Sequence, residues 1–553
     1  MNFRTVCLLV LTLPLTSYAM IHDPRAIEAD PATAQSAIAP RLEGLGDHTM
    51  TVSTENADSQ DFFNQGLRLT YGFNHSEALR SFKESARLDP NNAMAYWGWA
   101  LVLGPNLNLP MQDAVAEQAF AAIQMAVSLK ENASQREQAY IDALAVRYAP
   151  VAPLDRSPLD QAYAKEMAEL VVHYPDDLDA ATLYAASLMN LSPWNYWYKD
   201  GSPRANTKIL TETLESVASR NPKHPGALHY YIHAVEAVHP KEGETSADAL
   251  LPLMPGAGHM VHMPSHIYMR VGRYADAYDA NRRASDADSS YIAQCNAQGI
   301  YPLNYYPHNL HFLVWAAMFQ GRSEDALVGA REVQSKIPVD MNGNAFGAFE
   351  TFLSQPLYVM VRFGLWEQIL AEPKPATGNL FMTGVWHYAR GLAESNLGNR
   401  RAAKKEHRRL TKLREALPAD YLIGFGTAPK LLQIADLVLA GDIQAKEKEI
   451  DSAIASLSRA ARLEDSLLYN EPPDWYFPTR HVLGALLLDG GYASEAAVVY
   501  WDDLRKNPGN GFSLLGLSRA QAASGDATTA ETTMAQFKDA WSAADVTLSS
   551  SRF

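Results

Sequence analysis

Cysteine is almost missing from these 553 residues: Cys7 lies in an apolar stretch at the start, and Cys295 stands alone in the remainder. One cysteine outside that stretch excludes an intramolecular disulfide framework. Beyond the first nineteen residues there is no apolar run long enough to span a bilayer, so no integral membrane segment is expected once they are removed. Excess positive charge is also missing. Lys and Arg number 47 against 62 Asp and Glu, a formal net charge of −15, and there is no block of like charge. A phosphate-binding surface and a nucleic-acid partner are therefore not expected. Runs of alternating β-branched residues are absent, which leaves an all-α chain. There is no His-Glu-x-x-His helix, Cys-x-x-Cys-His haem attachment, Walker A loop or Gly-x-Ser-x-Gly elbow.

What is present begins with Arg4, the apolar stretch Val6–Leu15 and the small-residue ending Ser17-Tyr18-Ala19. Residues 1–19 read as a secretory signal cleaved before Met20, which predicts a periplasmic or secreted protein. Cys7 lacks the small-residue context of a lipidated cysteine. Residues 20–58, with Asp-Pro steps, scattered alanines and Gly44-Leu45-Gly46, read as an extended leader.

From residue 59 to 553 one grammar recurs: an apolar helix, a turn, and a second helix with small and aromatic residues on its inner side. Residues 64–90 (NQGLRLTYGFNHSEALRSFKESARLDP), 271–284 (VGRYADAYDANRRA), 320–333 (QGRSEDALVGAREV), 397–410 (LGNRRAAKKEHRRL) and 489–508 show it most plainly. This resembles the tetratricopeptide repeat of about 34 residues. Less regular pairs near 93–129, 134–173, 178–219, 349–370, 427–463 and 511–541 bring the total to roughly a dozen hairpins. The resemblance implies a right-handed α-solenoid whose first helices line a concave groove. The segments 63–101, 229–236 (HYYIHAVE), 255–274 (PGAGHMVHMPSHIYMRVGRY) and 475–491 are also similar to a group of long exported bacterial proteins with such repeats. That likeness implies a fold and an export route but no reaction. Insertions at 150–158, 193–203 and 241–246 read as loops.

Eight of the sixteen histidines fall between residues 229 and 311, in the repeats at 225–320, and all but His239 carry a spacing signal. With Gly272 and Ala277 on the repeat's turn glycine and second-helix alanine, His259, His262 and His266 take the second, fifth and ninth positions of their first helix. The same frame puts His308 second and His311 fifth, and puts His229 fifth, His233 ninth and Glu236 twelfth. His481 is fifth several repeats later. In the tetratricopeptide pattern these positions face the groove. At about 100° per residue the second, fifth and ninth form one stripe. Pro225 and Pro307 fall where a helix begins, a place that suits proline. Pro264 falls inside its helix and would break it; a helix starting there leaves His259 and His262 on the preceding loop.

Imidazole is a common ligand for zinc, copper and iron, so His229, His233, His262, His266, His308 and His311 are candidate ligands of a divalent transition metal, with His259 and Glu236 in support. Glu236 is also a candidate proton acceptor. The alternatives are neutral histidines paired with nearby tyrosines such as Tyr230, Tyr231, Tyr268, Tyr305 and Tyr306, or a groove that engages a protein or peptide. Two functional expectations follow: an extracytoplasmic binding protein with a histidine patch at its centre, or a hydrolytic or redox metalloenzyme built on the same cluster.

Overall fold

The structure, a computed structural model, describes residues 22–338 and 347–552. The signal segment lies outside the described residues. Among the described residues the only strands are the two-residue pair Leu422–Ile423 and Gly426–Thr427, and the rest of the regular structure is helical. Among them, too, no helix is long and apolar enough to cross a membrane. The chain divides into two compact units, 22–267 with 283–306, and 268–282 with 307–552.

In the first unit the helices pair in sequence order: Ala57–Tyr71 with His75–Leu88, Ala93–Leu103 with Ala116–Ser128, Gln135–Ala145 with Ser157–His173, Leu178–Leu191 with Thr207–Arg220, and Pro225–Val235 with Glu244–Leu250. In the second unit Tyr306–Gln320 pairs with Ser323–Ser335, Gly347–Arg362 with Trp366–Ala371, Leu380–Asn396 with Arg400–Ala416, Ala428–Lys446 with Ile450–Glu464, Thr479–Asp489 with Ala493–Lys506, and Gly511–Ala523 with Ala527–Ala540. With Pro264–Val271 and Tyr274–Cys295, this is the dozen tetratricopeptide-like hairpins that the sequence grammar implies.

Two local devices build these hairpins. The first is the turn after the leading helix. In eight of them the residue five before the second helix's small or aliphatic inner residue has positive φ: Gly272, Gly321, Gly364, Gly398, Gly491 and Gly525, but Lys448 and Phe73 in the other two. The amide of the next residue then bonds back to a carbonyl in the last turn of the leading helix, as Arg273 N does to Tyr268 O at 2.8 Å and Asn74 N to Leu69 O at 3.0 Å. This closes the helix end, and glycine suits it because it alone carries no Cβ penalty in that region. The second device is an aromatic ring seated in glycine notches. Phe82 is fully buried against Gly66 and Gly98, where an added Cβ would come within 2.8 and 2.4 Å of its ring. Tyr500 does the same against Gly484 and Gly516.

Several loop expectations change. Residues 241–246 are not a loop: Pro240–Gly243 is a 3-10 turn that runs into the helix Glu244–Leu250. A helix does begin at Pro264, yet His259 and His262 do not lie on a loop before it. They sit on a short helix, Gly258–His262, because only the amide that Pro264 lacks is lost while Met263 N still bonds His259 O at 3.0 Å.

Candidate metal centre

The helix Pro225–Val235 begins with a tied-down end. His224 is its N-cap and accepts the Ala227 amide through Nδ1 at 3.2 Å. Its Nε2 lies 3.3 Å from Asp179 Oδ1, which also accepts from the Tyr71 hydroxyl at 2.5 Å and lies 2.8 Å from His48 Nε2. Tyr71 is thus clamped at its ring end, and its backbone carbonyl meets His229 Nδ1 at 2.6 Å. A carbonyl only accepts, so His229 Nδ1 carries the proton and Nε2 presents its lone pair.

One turn on, His233 Nδ1 lies 3.4 Å from Glu236 Oε1, and the other oxygen of Glu236 lies 3.1 Å from His266 Nδ1. The Nε2 atoms of His262 and His266 are 3.0 Å apart. His259 from the short helix joins His229 and His233, and one nitrogen from each of these three lies within 4.8 Å of the others. His229, His233, His259, His262, His266 and Glu236 are all at most 4 % exposed. The Nε2 atoms of His229 and His233 are buried with no hydrogen-bond partner.

Electrostatics favour neutral rings. Burial pushes His229 well below the usual imidazole range, helped by His233 beside it. Burial also lowers His233, against the opposing pull of Glu236. Burial works against the Glu236 carboxylate too, but the neighbouring His266 and His233 more than offset it and hold it at about 2. At neutral pH His229 and His233 are therefore neutral rings beside a carboxylate, and Nε2 of His229 presents its lone pair to a Lewis acid.

The walls are aromatic. Phe73 contacts His229, His233 and His259 at ring-centroid distances of 4.6, 5.9 and 5.7 Å, and Trp194 meets His233 edge-on at 5.1 Å. Both walls hold left-handed backbone, φ 55° for Phe73 and 60° for Trp194, a conformation rare for bulky residues. Tyr305 closes on His259 at 4.9 Å.

Of the sequence candidates, His229, His233, His259, His262, His266 and Glu236 meet in the first unit. His308 and His311 belong to the second unit, on the helix Tyr306–Gln320, where His308 packs on Phe312 and His311 edge-on to Phe352. His481 is held there between Arg362, which donates to its Nδ1 at 2.9 Å, and Asp503, 2.8 Å from its Nε2, so both its nitrogens are engaged. Sequence reading missed Tyr71, Phe73 and Asp179. They act from segments distant in the chain, and only the turn position of Phe73 left a trace in the repeat pattern.

No protein-family model matches the chain, and no curated protein matches it. Solved structures with a low likeness include the human IFIT1 dimer with m7Gppp-AAAA, at 12% identity over 88% of this chain and 90% of that one, with a TM-score of 0.31. Others are the APC/C hetero-tetramer Cut9-Hcn1, at 11% identity over 84% and 76% with a TM-score of 0.29, and yeast Tom70, at 11% identity over 87% and 93% with a TM-score of 0.27. At such scores the fold rests on this chain's own helices, and no function is carried across.

Proposed function

We propose that this is an exported helical-repeat binding protein built around a buried transition-metal centre, with His229, His233 and His259 as the ligands and a protein or peptide as its partner in the groove. The observation that carries the metal reading is the pair of buried Nε2 atoms on His229 and His233, each on a ring whose Nδ1 is already fixed, by Tyr71 O and by Glu236. Metal-bound histidines are typically held through the second nitrogen by a carbonyl or carboxylate in this way. Leaving such atoms unpaired costs about 1–3 kcal/mol each, and a bound ion removes that cost. A tetrahedral ion at about 2.0–2.1 Å needs nitrogens about 3.3 Å apart, so the three rings close slightly around it. Peptide recognition by the imidazoles themselves fits less well, because the cluster is buried.

Three protein ligands leave a fourth position for water or substrate, the pattern of catalytic rather than structural sites. This favours, as a second reading, a metalloenzyme. In it Glu236 positions His233 and His266, since its two oxygens already face them.

The test is elemental analysis of protein purified without a histidine tag, followed by titration of the stripped protein with zinc, copper(II) and iron(II). The expected result is one or more ions per chain in the native protein, lost in His229→Ala plus His233→Ala. Protein that is metal-free and takes up none of the three overturns the reading.

A further inference from the structure

The chain's last described residues lie on the second unit as a docked peptide would. The final helix ends at Ala540, and Trp541 after it is seated against Gly321 and Gly511. Residues 543–552 then form no helix or strand, and from Ala544 to Ser550 their burial alternates. Ala544, Val546, Leu548 and Ser550 are half-buried, while Asp545, Thr547 and Ser549 are exposed. That period of two is the mark of an extended segment with one face on a surface.

Each end has a polar anchor. Asp545 accepts the amides of Ser323 and Glu324 through its two oxygens at 2.8 and 2.9 Å, and its own amide donates to Gly321 O at 3.2 Å. The helix Ser323–Ser335 takes this carboxylate because Arg322, at its N-cap position, makes no side-chain cap, whereas Asn74, Asp177 and Asp526 cap the helices they precede. At the far end, Ser551 Oγ donates to His481 O at 2.7 Å and lies 2.6 Å from the Tyr500 hydroxyl, and Arg552 meets Asp489 at 2.9 Å. Between them Arg519 donates to the Ser549 carbonyl. Of residues 542–552 only Ser551 is buried, and no apolar one enters the core. A hold made of such bonds can be exchanged, group for group, with water or another chain.

We propose that this surface is a docking site for an extended segment of a partner protein, and that the chain's own tail is the resident it displaces. The segment carries an acidic residue followed six and seven positions later by serine and arginine, as Asp545, Ser551 and Arg552 stand here. The helix amides read the carboxylate, Asp489 reads the guanidinium, and the groups between them take backbone atoms. The inference deepens the peptide-partner reading and rests on it. The histidine cluster of the first unit has no part in it.

A fluorescent peptide with the sequence of residues 543–552 is titrated by anisotropy into the full-length wild-type chain and into Asp545→Ala plus Arg552→Ala, whose tail is loosened. The expected result is at least about tenfold tighter binding to the variant, where the tethered competitor is weakened, and no binding by a peptide that itself carries Asp545→Ala. Equal binding to both chains, or none to a variant whose circular dichroism is native, overturns the proposal. Hydrogen exchange of the wild-type chain covers a variant that unfolds. A displaceable tail exchanges its Asp545 amide at least about 100-fold faster than the amides inside Gly511–Ala523, and equal protection overturns it. Tails exchanged between copies, seen as concentration-dependent dimers in sedimentation, assign the surface to a second copy and overturn the partner. Displayed random peptides are then selected on the variant. Enriched peptides that carry the acid-to-arginine spacing and compete with the labelled tail are expected. Enriched peptides that do not compete overturn this docking site and leave the peptide-partner reading standing, and no enrichment at all removes both.

Discussion

His224 and His229 stand five residues apart and have opposite proton patterns. His224 accepts an amide at Nδ1 and so turns its Nε2 hydrogen toward Asp179, whereas His229 donates from Nδ1 to Tyr71 O and presents a bare Nε2. The first is a capping residue and the second has the form of a ligand. Accordingly, His224→Ala, which removes the cap, should lower the unfolding free energy while leaving metal content unchanged, and His229→Ala should lower metal content. Glu236→Gln keeps the shape but weakens the hold on His233, and should reduce metal affinity about 10–100-fold by competition titration. The acid limb follows from other histidines. Burial pushes His22 down to about 4, and His75 down to about 3 with the charge of His22 adding to the effect. Such rings are neutral in the fold and bind protons more readily once unfolded, so their contribution is complete above pH 6.5 and is lost as pH falls toward 4. Denaturant unfolding of metal-free protein at pH 7 and pH 5 should show the loss, with a shallower slope in His75→Gln. At this scale the sequence was legible where register decides: the 229, 233 and 259–266 histidines share a stripe that the repeat frame marks. It was illegible where a partner arrives from elsewhere, as Tyr71 O does to His229. Phe73 was half legible. The glycine of its turn, Gly72, stands six residues before Ala78 instead of the usual five, so the misplaced glycine itself marks the unusual residue.

The helical pairs follow from caps, turns and notches that repeat along the chain. Asn510 caps the helix Gly511–Ala523 by accepting the Ser513 amide at 2.9 Å and donates to Asp503 at 2.9 Å. Asn510→Ala should cost about 1 kcal/mol for the cap, with more for the Asp503 bond. Phe82 in its double glycine notch contributes more: Phe82→Ala should cost about 3–5 kcal/mol in denaturant unfolding, because the neighbouring glycines offer no side chains to fill the space. Helix pairing was readable from sequence since each element carries its own small and aromatic residues. The short helix Gly258–His262 was not, because the proline that ends its hydrogen-bond ladder reads the same whether a loop or a helix turn precedes it.

At the scale of the whole chain, the first unit is tied to the segment that precedes its repeats. Lys83 is buried, and its Nζ donates to the carbonyls of Ala26, Ile27 and Ala29 at 2.8, 2.9 and 2.8 Å while lying 4.4 Å over the Trp99 ring. Gly256 N donates to Gly44 O at 2.8 Å, and His48 joins the Asp179 cluster that supports Tyr71. Lys83→Met removes three hydrogen bonds from one end of this strap, so limited proteolysis should cut residues 22–40 faster in the variant. A leader was visible in composition. Its anchoring was not, since a lysine beside Phe82 reads in sequence as a solvated charge. Tyr71, held through Asp179 by His48 and His224, and the aromatic walls Phe73 and Trp194 abut the histidines, and the ion proposed there is tested most directly by anomalous X-ray diffraction. Crystals of untagged protein are measured on either side of the absorption edge of the metal found by elemental analysis. An anomalous peak within bonding distance of His229 Nε2 and His233 Nε2 is the predicted result. Metal-replete crystals with peaks on surface residues alone, and none at these two nitrogens, would contradict it.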